Sequence, residues 1–158
     1  QKRISNQIVE KLFGTISSKK IAILGFSFKA NTNDTRESPS IYICKELIEE
    51  GGLLSIFDPK VDKKRIELDL GPELNKKDTN NINQGGWIFS NSIKESLSNA
   101  DAVVIMTEWV EFTTIDWALF ASTMRQPAWV FDTRSITNIK AAKKYGLNIW
   151  SVGNGEND

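Results

Sequence analysis

Three basic side chains lie in the loops that follow apolar runs: Lys29 and Arg134 near the run ends, Arg36 farther along, just before Ser38-Pro39. Cations placed this way suit the capture of an anion better than the making of bonds. The Lys29 ammonium is a compact charge with three donors, and Phe28 precedes it as an aromatic that can tuck beneath the loop. An arginine guanidinium is a planar fork that grips phosphate oxygens two at a time. Each also has a plainer reading: a solvated lysine, an Arg36 paired locally between Asp34 and Glu37, an exposed loop arginine at Arg134. With no histidine in the chain, neither a His general base nor a His metal ligand is available. The single cysteine, Cys44, falls on the apolar stripe of a helix with no base to activate its thiol, so it reads as inert packing. No catalytic residue and no metal site is expected.

Other residues at run ends carry weaker signals. Gly25 supplies only the first glycine of a dinucleotide-binding loop, because Phe26-Ser27-Phe28-Lys29-Ala30 follows without the other two. Asp58 lies farther beyond Gly25 than the roughly 20 residues such a loop requires. It reads as a strand-end turn residue before Pro59. Thr107-Glu108-Trp109 closes another apolar run, where core packing of Trp109 is the plain reading.

The elements that must position these loops follow from the hydrophobic pattern. Ile21 to Leu24 is an apolar strand ending at Gly25. After a long polar loop, a helix opens at Ser38-Pro39, with Ser38 as N-cap and Pro39 at the first helical position, and Gly51 ends it. Its buried stripe is Ile41, Cys44, Leu47 and Ile48. Leu53 to Phe57 is the next strand, which completes a βαβ unit. Asp62 to Gly86 reads as a polar surface loop, Asn-rich at Asn75, Asn80, Asn81 and Asn83, with room for a short helix. A short strand at Trp87 to Phe89 and a helix from the capping-box spacing of Ser92 and Glu95 to Asn99 come next. Ala102 to Met106 is a strand, Ile115 to Thr123 a helix and Ala128 to Phe131 a strand. A helix from Ile136 to Tyr145 and a strand from Asn148 to Val152 complete the pattern, and the tail from Gly153 to Asp158 is expected to fray. Strands apolar throughout, alternating with helices, predict a doubly wound, mostly parallel Rossmann-like α/β sheet covered on both faces.

Residues 3 to 13 form one further predicted helix, with Ile4, Ile8 and Leu12 on one face and Val9 and Phe13 beside it. It has no capping signal before it, so it is expected to continue a longer upstream helix. Gly14 to Ser18 then links it to the first strand.

Composition narrows the class of protein. The length of 158 residues fits one domain, and 40% hydrophobic with 25% charged residues is ordinary for a globular chain. Basic and acidic residues balance at 20 each, and without a basic excess no nucleic-acid partner is expected. The apolar runs are far shorter than the roughly 18 residues of a membrane span, no signal peptide is seen, and a lone cysteine fits a reducing cytoplasm.

The wording of the loops goes further. GFSFKANTNDTRESPS from Gly25 to Ser40, FDPKV from Phe57, MTEW from Met106 and FDTR from Phe131 occur together and in order. In that order and at about that spacing they resemble the C-terminal, UDP-binding domain of the UDP-glucose/GDP-mannose dehydrogenase family, nearest in wording to its UDP-glucose group. The resemblance implies residues 1–18 as the end of a central linking and dimerisation helix with its linker, and 19–158 as the UDP-binding domain. It implies an enzyme that oxidises UDP-glucose to UDP-glucuronate with two NAD, its catalytic cysteine and NAD domain lying upstream, so that this stretch alone is inactive. By the same likeness Phe28, Lys29 and Arg134 would contact substrate and Arg36 would reach across a cleft to the cofactor. A homo-oligomer, dimer or larger, would be the full-length form. Thr133 stands where the family has glycine, which puts the turn before Arg134 in question. Two alternatives remain open: a sister dehydrogenase for GDP-mannose or a UDP-N-acetylhexosamine, and a nucleotide-sugar-binding or assembly module without chemistry.

Overall fold

The computed structural model describes residues 2–74 and 84–152. The Asn-rich stretch at 75–83 and the tail at 153–158 lie outside the described residues. Six strands form one all-parallel sheet: β1 (Lys20–Leu24), β2 (Leu53–Phe57), β3 (Gly86–Phe89), β4 (Ala102–Ile105), β5 (Trp129–Asp132) and β6 (Asn148–Ser151). Their order across the sheet is β3-β2-β1-β4-β5-β6. The order reverses between β1 and β4, and open α/β sheets bind ligands at the carboxyl edge of such a switch point.

Side chains alternate between two cores. From β1, Ile21 and Ile23 enter one cluster while Ala22 and Leu24 enter the other; β4 divides Ala102 and Val104 from Val103 and Ile105 in the same way. Both faces are therefore apolar, which is why the strands read as unbroken hydrophobic runs. Helices α2 (Pro39–Glu49) and α3 (Lys63–Leu70) contribute Ile43, Cys44, Leu47 and Ile66 to the first cluster. The second face holds α4 (Ile93–Leu97), α5 (Val110–Thr113), α6 (Trp117–Ala121) and α7 (Ile139–Lys144), which bury Leu97, Phe112, Trp117 and Ala142.

All crossovers from β4 to β6 thus lie on the second face, which leaves the first face of that half bare. The N-terminal helix α1 (Lys2–Lys11) takes that place. Ile8 and Leu12 are buried in the same cluster as Phe131 and Trp150, and the Lys11 ammonium lies 5.8 Å from the Trp129 ring centroid. The apolar face of α1 is thus covered within the chain. Its partner is the domain itself, because the winding of the sheet requires a lid there. Truncating Ile8 or Leu12 to Ala would cost about 2–5 kcal/mol.

Other sequence expectations meet small corrections. The short helix for which the stretch from Asp62 had room is α3, whose Asp62 side chain accepts the Arg65 amide and whose Ile66 is buried. The helix expected at 115–123 is α6, capped by Asp116, and the four-residue α5 before it has no counterpart in the sequence pattern. The helix expected from Ile136 begins at Ile139, because the Ile136 and Thr137 amides turn back to the Asp132 carboxylate.

Candidate functional site

Three loops meet at the carboxyl edge beside the switch point, following β1, β4 and β5. Gly25 makes the first exit possible. Its φ is +98°, and a Cβ there would come within 2.9 Å of the Thr107 amide nitrogen. Only glycine satisfies both conditions. The Thr107 hydroxyl then donates to Ser27 O at 3.0 Å, tying the β1 loop to the β4 loop.

Asp58, at the end of β2, organises this junction more thoroughly than a turn residue would. It is 4% exposed. Oδ2 accepts the amides of Phe26 (2.7 Å) and Ser27 (3.0 Å) and the Trp109 indole N–H (3.3 Å). Oδ1 accepts the amides of Lys60 (2.8 Å) and Val61 (3.0 Å). One buried carboxylate thus fastens the loops after β1, β2 and β4. Trp109 is buried, as the packing reading expects, but it also spends its single donor here.

Arg134 is half-buried and does similar work from β5. Its Nε donates to Met106 O at 3.0 Å and its Nη2 to Phe28 O at 3.1 Å. It also lies 3.4 Å from Glu108 Oε2 in an ion pair, while Glu108 Oε1 accepts the Ala30 amide at 3.1 Å. Burial raises the Glu108 pKa, but the amides of Ala30 and Glu108 itself and the charges of Arg134 and Lys29 outweigh it and hold the carboxyl below its ordinary value. Lys29 is exposed, with its ammonium 5.3 Å from the Phe28 ring centroid. The Phe28 amide donates to Asp34 O at 3.0 Å. Phe28, Lys29, Glu108 and Arg134 therefore form one cluster, and Glu108 is the member that residue type alone did not single out.

Thr133 needs no glycine-like backbone. The positive φ in this turn falls on Ser135, at 58°, while the Thr133 hydroxyl donates to Ile105 O at 2.7 Å.

Arg36 stands apart from that cluster. Its guanidinium grips Asp34 with Nε at 3.0 Å from Oδ1 and Nη2 at 2.8 Å from Oδ2, so the local ion pair is present. Hydrogen bonds from Arg36 hold the Asp34 carboxyl down at about 2, despite a small opposing effect of burial. The pair lines an open groove of about 630 Å³ shared with Lys60, Lys64 and Arg65. Cys44 is fully buried, and burial pushes its thiol well above its usual range, which leaves no reactive thiolate.

No helix among the described residues is long and apolar enough to cross a membrane. Among them, no group of three or more His, Cys, Asp or Glu side chains is arranged to hold a metal ion.

A parallel sheet in this strand order defines a doubly wound α/β domain, the class that binds ligands at the carboxyl edge of its switch point. Residues 22–139 match the UDP-glucose/GDP-mannose dehydrogenase family, UDP binding domain, and the chain belongs to that family. It is similar to UDP-glucose 6-dehydrogenase 2 of Arabidopsis thaliana, with 38% identity over 160 residues covering 96% of this chain and 33% of the relative. UDP-glucose 6-dehydrogenase of Drosophila melanogaster is also 38% identical, over 153 residues covering 97% of this chain and 32% of the relative. The chain thus spans about a third of the length of these curated relatives. Among solved structures, a UDP-D-ManNAc dehydrogenase from Pyrococcus horikoshii superimposes with a TM-score of 0.71 at 23% identity, covering 98% of this chain and 30% of that one. A UDP-glucose dehydrogenase from Pyrobaculum islandicum gives 0.67 at 23% identity, covering 94% and 28%. At such identities these two superpositions speak for the fold.

Proposed function

We propose that this chain is the substrate-side domain of a cytoplasmic, NAD-dependent UDP-glucose 6-dehydrogenase that oxidises UDP-glucose to UDP-glucuronate. The observation that carries this reading is the convergence of Phe28, Lys29 and Arg134 at the switch point, within a domain of the UDP-binding family. In this reading the Lys29 ammonium and the outward guanidinium N–H groups of Arg134 hold the diphosphate and sugar region. The hydrogen bonds from Arg134 to Phe28 O and Met106 O hold the guanidinium in place before ligand arrives, so one side chain fewer needs ordering on binding.

The residues present do not fit a complete NAD cradle. The loop after β1 lacks the second and third glycines. The acidic residue at the end of β2, which in dinucleotide folds takes ribose hydroxyls, is here Asp58, with both oxygens already engaged by five protein N–H donors. NAD is therefore assigned to an upstream domain, as are the catalytic cysteine and the chemistry, and this stretch alone would be inactive. Arg36, exposed on its groove, is assigned the one contact across the cleft to the cofactor. Residues 1–18 are assigned to the linker and to part of a homo-oligomer interface in the full-length protein.

Steady-state kinetics of the full-length protein test these assignments. Lys29→Ala and Arg134→Ala should raise KM for UDP-glucose roughly 10- to 150-fold, the loss of a charge-assisted hydrogen bond, with little change for NAD. Arg36→Ala should do the reverse. Wild-type parameters in all three variants would overturn the site, and a preference for GDP-mannose over UDP-glucose would replace the substrate.

A further inference from the structure

The Lys29 side chain is exposed, yet the backbone that carries it is fastened on both sides. In the peptide unit before it, Phe28 O accepts Arg134 Nη2 at 3.1 Å. In the peptide unit after it both polar groups are engaged. Lys29 O accepts the Ser27 hydroxyl at 2.8 Å, and the Ala30 amide donates to Glu108 Oε1 at 3.1 Å. The other oxygen of Glu108 is shielded from solvent and receives no donor. Arg134 Nε is 3.4 Å from it, but the single hydrogen of that nitrogen goes to Met106 O. Glu108 therefore meets Arg134 through charge alone, while the Phe28 and Met106 carbonyls orient the guanidinium. The one directional bond that the Glu108 carboxylate makes falls on the peptide joining Lys29 to Ala30.

We propose that Glu108 is a positioning residue of this site, fixing the backbone from which Lys29 reaches the ligand. The inference rests on the nucleotide-sugar reading above, which gives Lys29 its contact. An ammonium on a loose loop has both backbone and side chain to order when an anion binds. Fastening the peptide beforehand leaves only the side-chain rotamers to order. A carboxylate is an unexpected neighbour for a diphosphate, since its charge opposes the anion. The amide it holds accounts for its presence, because a charged acceptor binds an N–H about twice as strongly as a neutral one. The adjacent Arg134 offsets its charge.

NMR titrations of the isotopically labelled chain with UDP-glucose test this by a double-mutant cycle. The proteins are wild type, Glu108→Ala, Glu108→Gln, Lys29→Ala and the variant carrying both alanines, with unfolding curves confirming that each folds. Glu108→Ala should weaken binding roughly 5- to 30-fold, the cost of ordering one residue's backbone. It should also speed hydrogen exchange at the Ala30 amide before any ligand is added. Glu108→Met, which keeps the bulk without a comparable acceptor, carries the same expectation should the alanine variant not fold. Glu108→Gln keeps an acceptor for the amide and should bind as well as wild type or better, having lost the opposing charge. On the Lys29→Ala background, Glu108→Ala should cost no more than about twofold, because the group it positions is gone. Equal losses on both backgrounds would overturn the proposal, as would a Gln variant as weak as the Ala variant. Wild-type affinity in Glu108→Ala would overturn it too. A wild-type chain that binds no UDP-glucose would instead bring down the nucleotide-sugar reading, and the proposal with it.

Discussion

Replacing Asp58 by Asn removes a charge and one acceptor while keeping the side chain's shape. The carboxylate holds five N–H donors, three on Oδ2 and two on Oδ1. The amide offers one oxygen and one NH2 group. Turned the better way, it keeps Phe26, Ser27 and Trp109 as partners but sets its NH2 against the amides of Lys60 and Val61. Two hydrogen bonds to a charged group are lost, each worth about 1.5–3 kcal/mol. Relief from burying a charge offsets part of this. The expected destabilisation is about 3–5 kcal/mol, or a fall in Tm of roughly 10 °C or more for a domain of this size. Urea unfolding followed by tryptophan fluorescence measures it, with Lys29→Ala as an exposed control within about 0.5 kcal/mol of wild type. An Asp58→Asn variant within about 1 kcal/mol of wild type would refute the view that this carboxylate fastens the three loops.

Gly25→Ala meets the Thr107 backbone and an unfavourable φ of +98° together, so it should destabilise by more than about 2 kcal/mol or prevent folding, as judged by the same unfolding curve. Cys44 should stay unreactive toward a thiol reagent in the native protein and react once urea unfolds it, because burial both hides the thiol and suppresses the thiolate. The Asp34 carboxyl should titrate near 2 in an NMR pH series. Its folded value lies below the ordinary 3.8, so the pair with Arg36 stabilises above about that pH and is lost as the pH falls through 2. That contribution is small because the pair is exposed to solvent.

Much of this was legible because the parallel sheet writes itself as continuous apolar runs. Ile21 to Leu24 and Ala102 to Met106 have no polar alternation to confuse them, and Ser38-Pro39 announces α2 through a mechanism rather than a tendency. The helix α3 was harder to see. Only Ile66 on it is fully buried, and Asp62 looks like one polar residue among many until its side chain is seen to accept the Arg65 amide. Covering of α1 could not be read locally, since it follows from which face the crossovers leave bare. At the site, Lys29 and Arg134 could be placed at strand ends, while Asp58 looked like an ordinary turn acid and Glu108 stood out only within Thr107-Glu108-Trp109. Their importance depends on donors as distant in sequence as Trp109 and Ala30, and no spacing rule reports that.

The most direct measurement is a two-dimensional NMR titration of the isotopically labelled chain with UDP-glucose. Saturable amide shifts should cluster at residues 26–30, 107–109 and 133–135, the three loops that Gly25, Asp58 and Arg134 bring together at the carboxyl edge. Shifts concentrated instead around Lys20, Leu53 and Asn99 at the opposite edge, or none at millimolar ligand, would contradict a nucleotide-sugar site at the switch point.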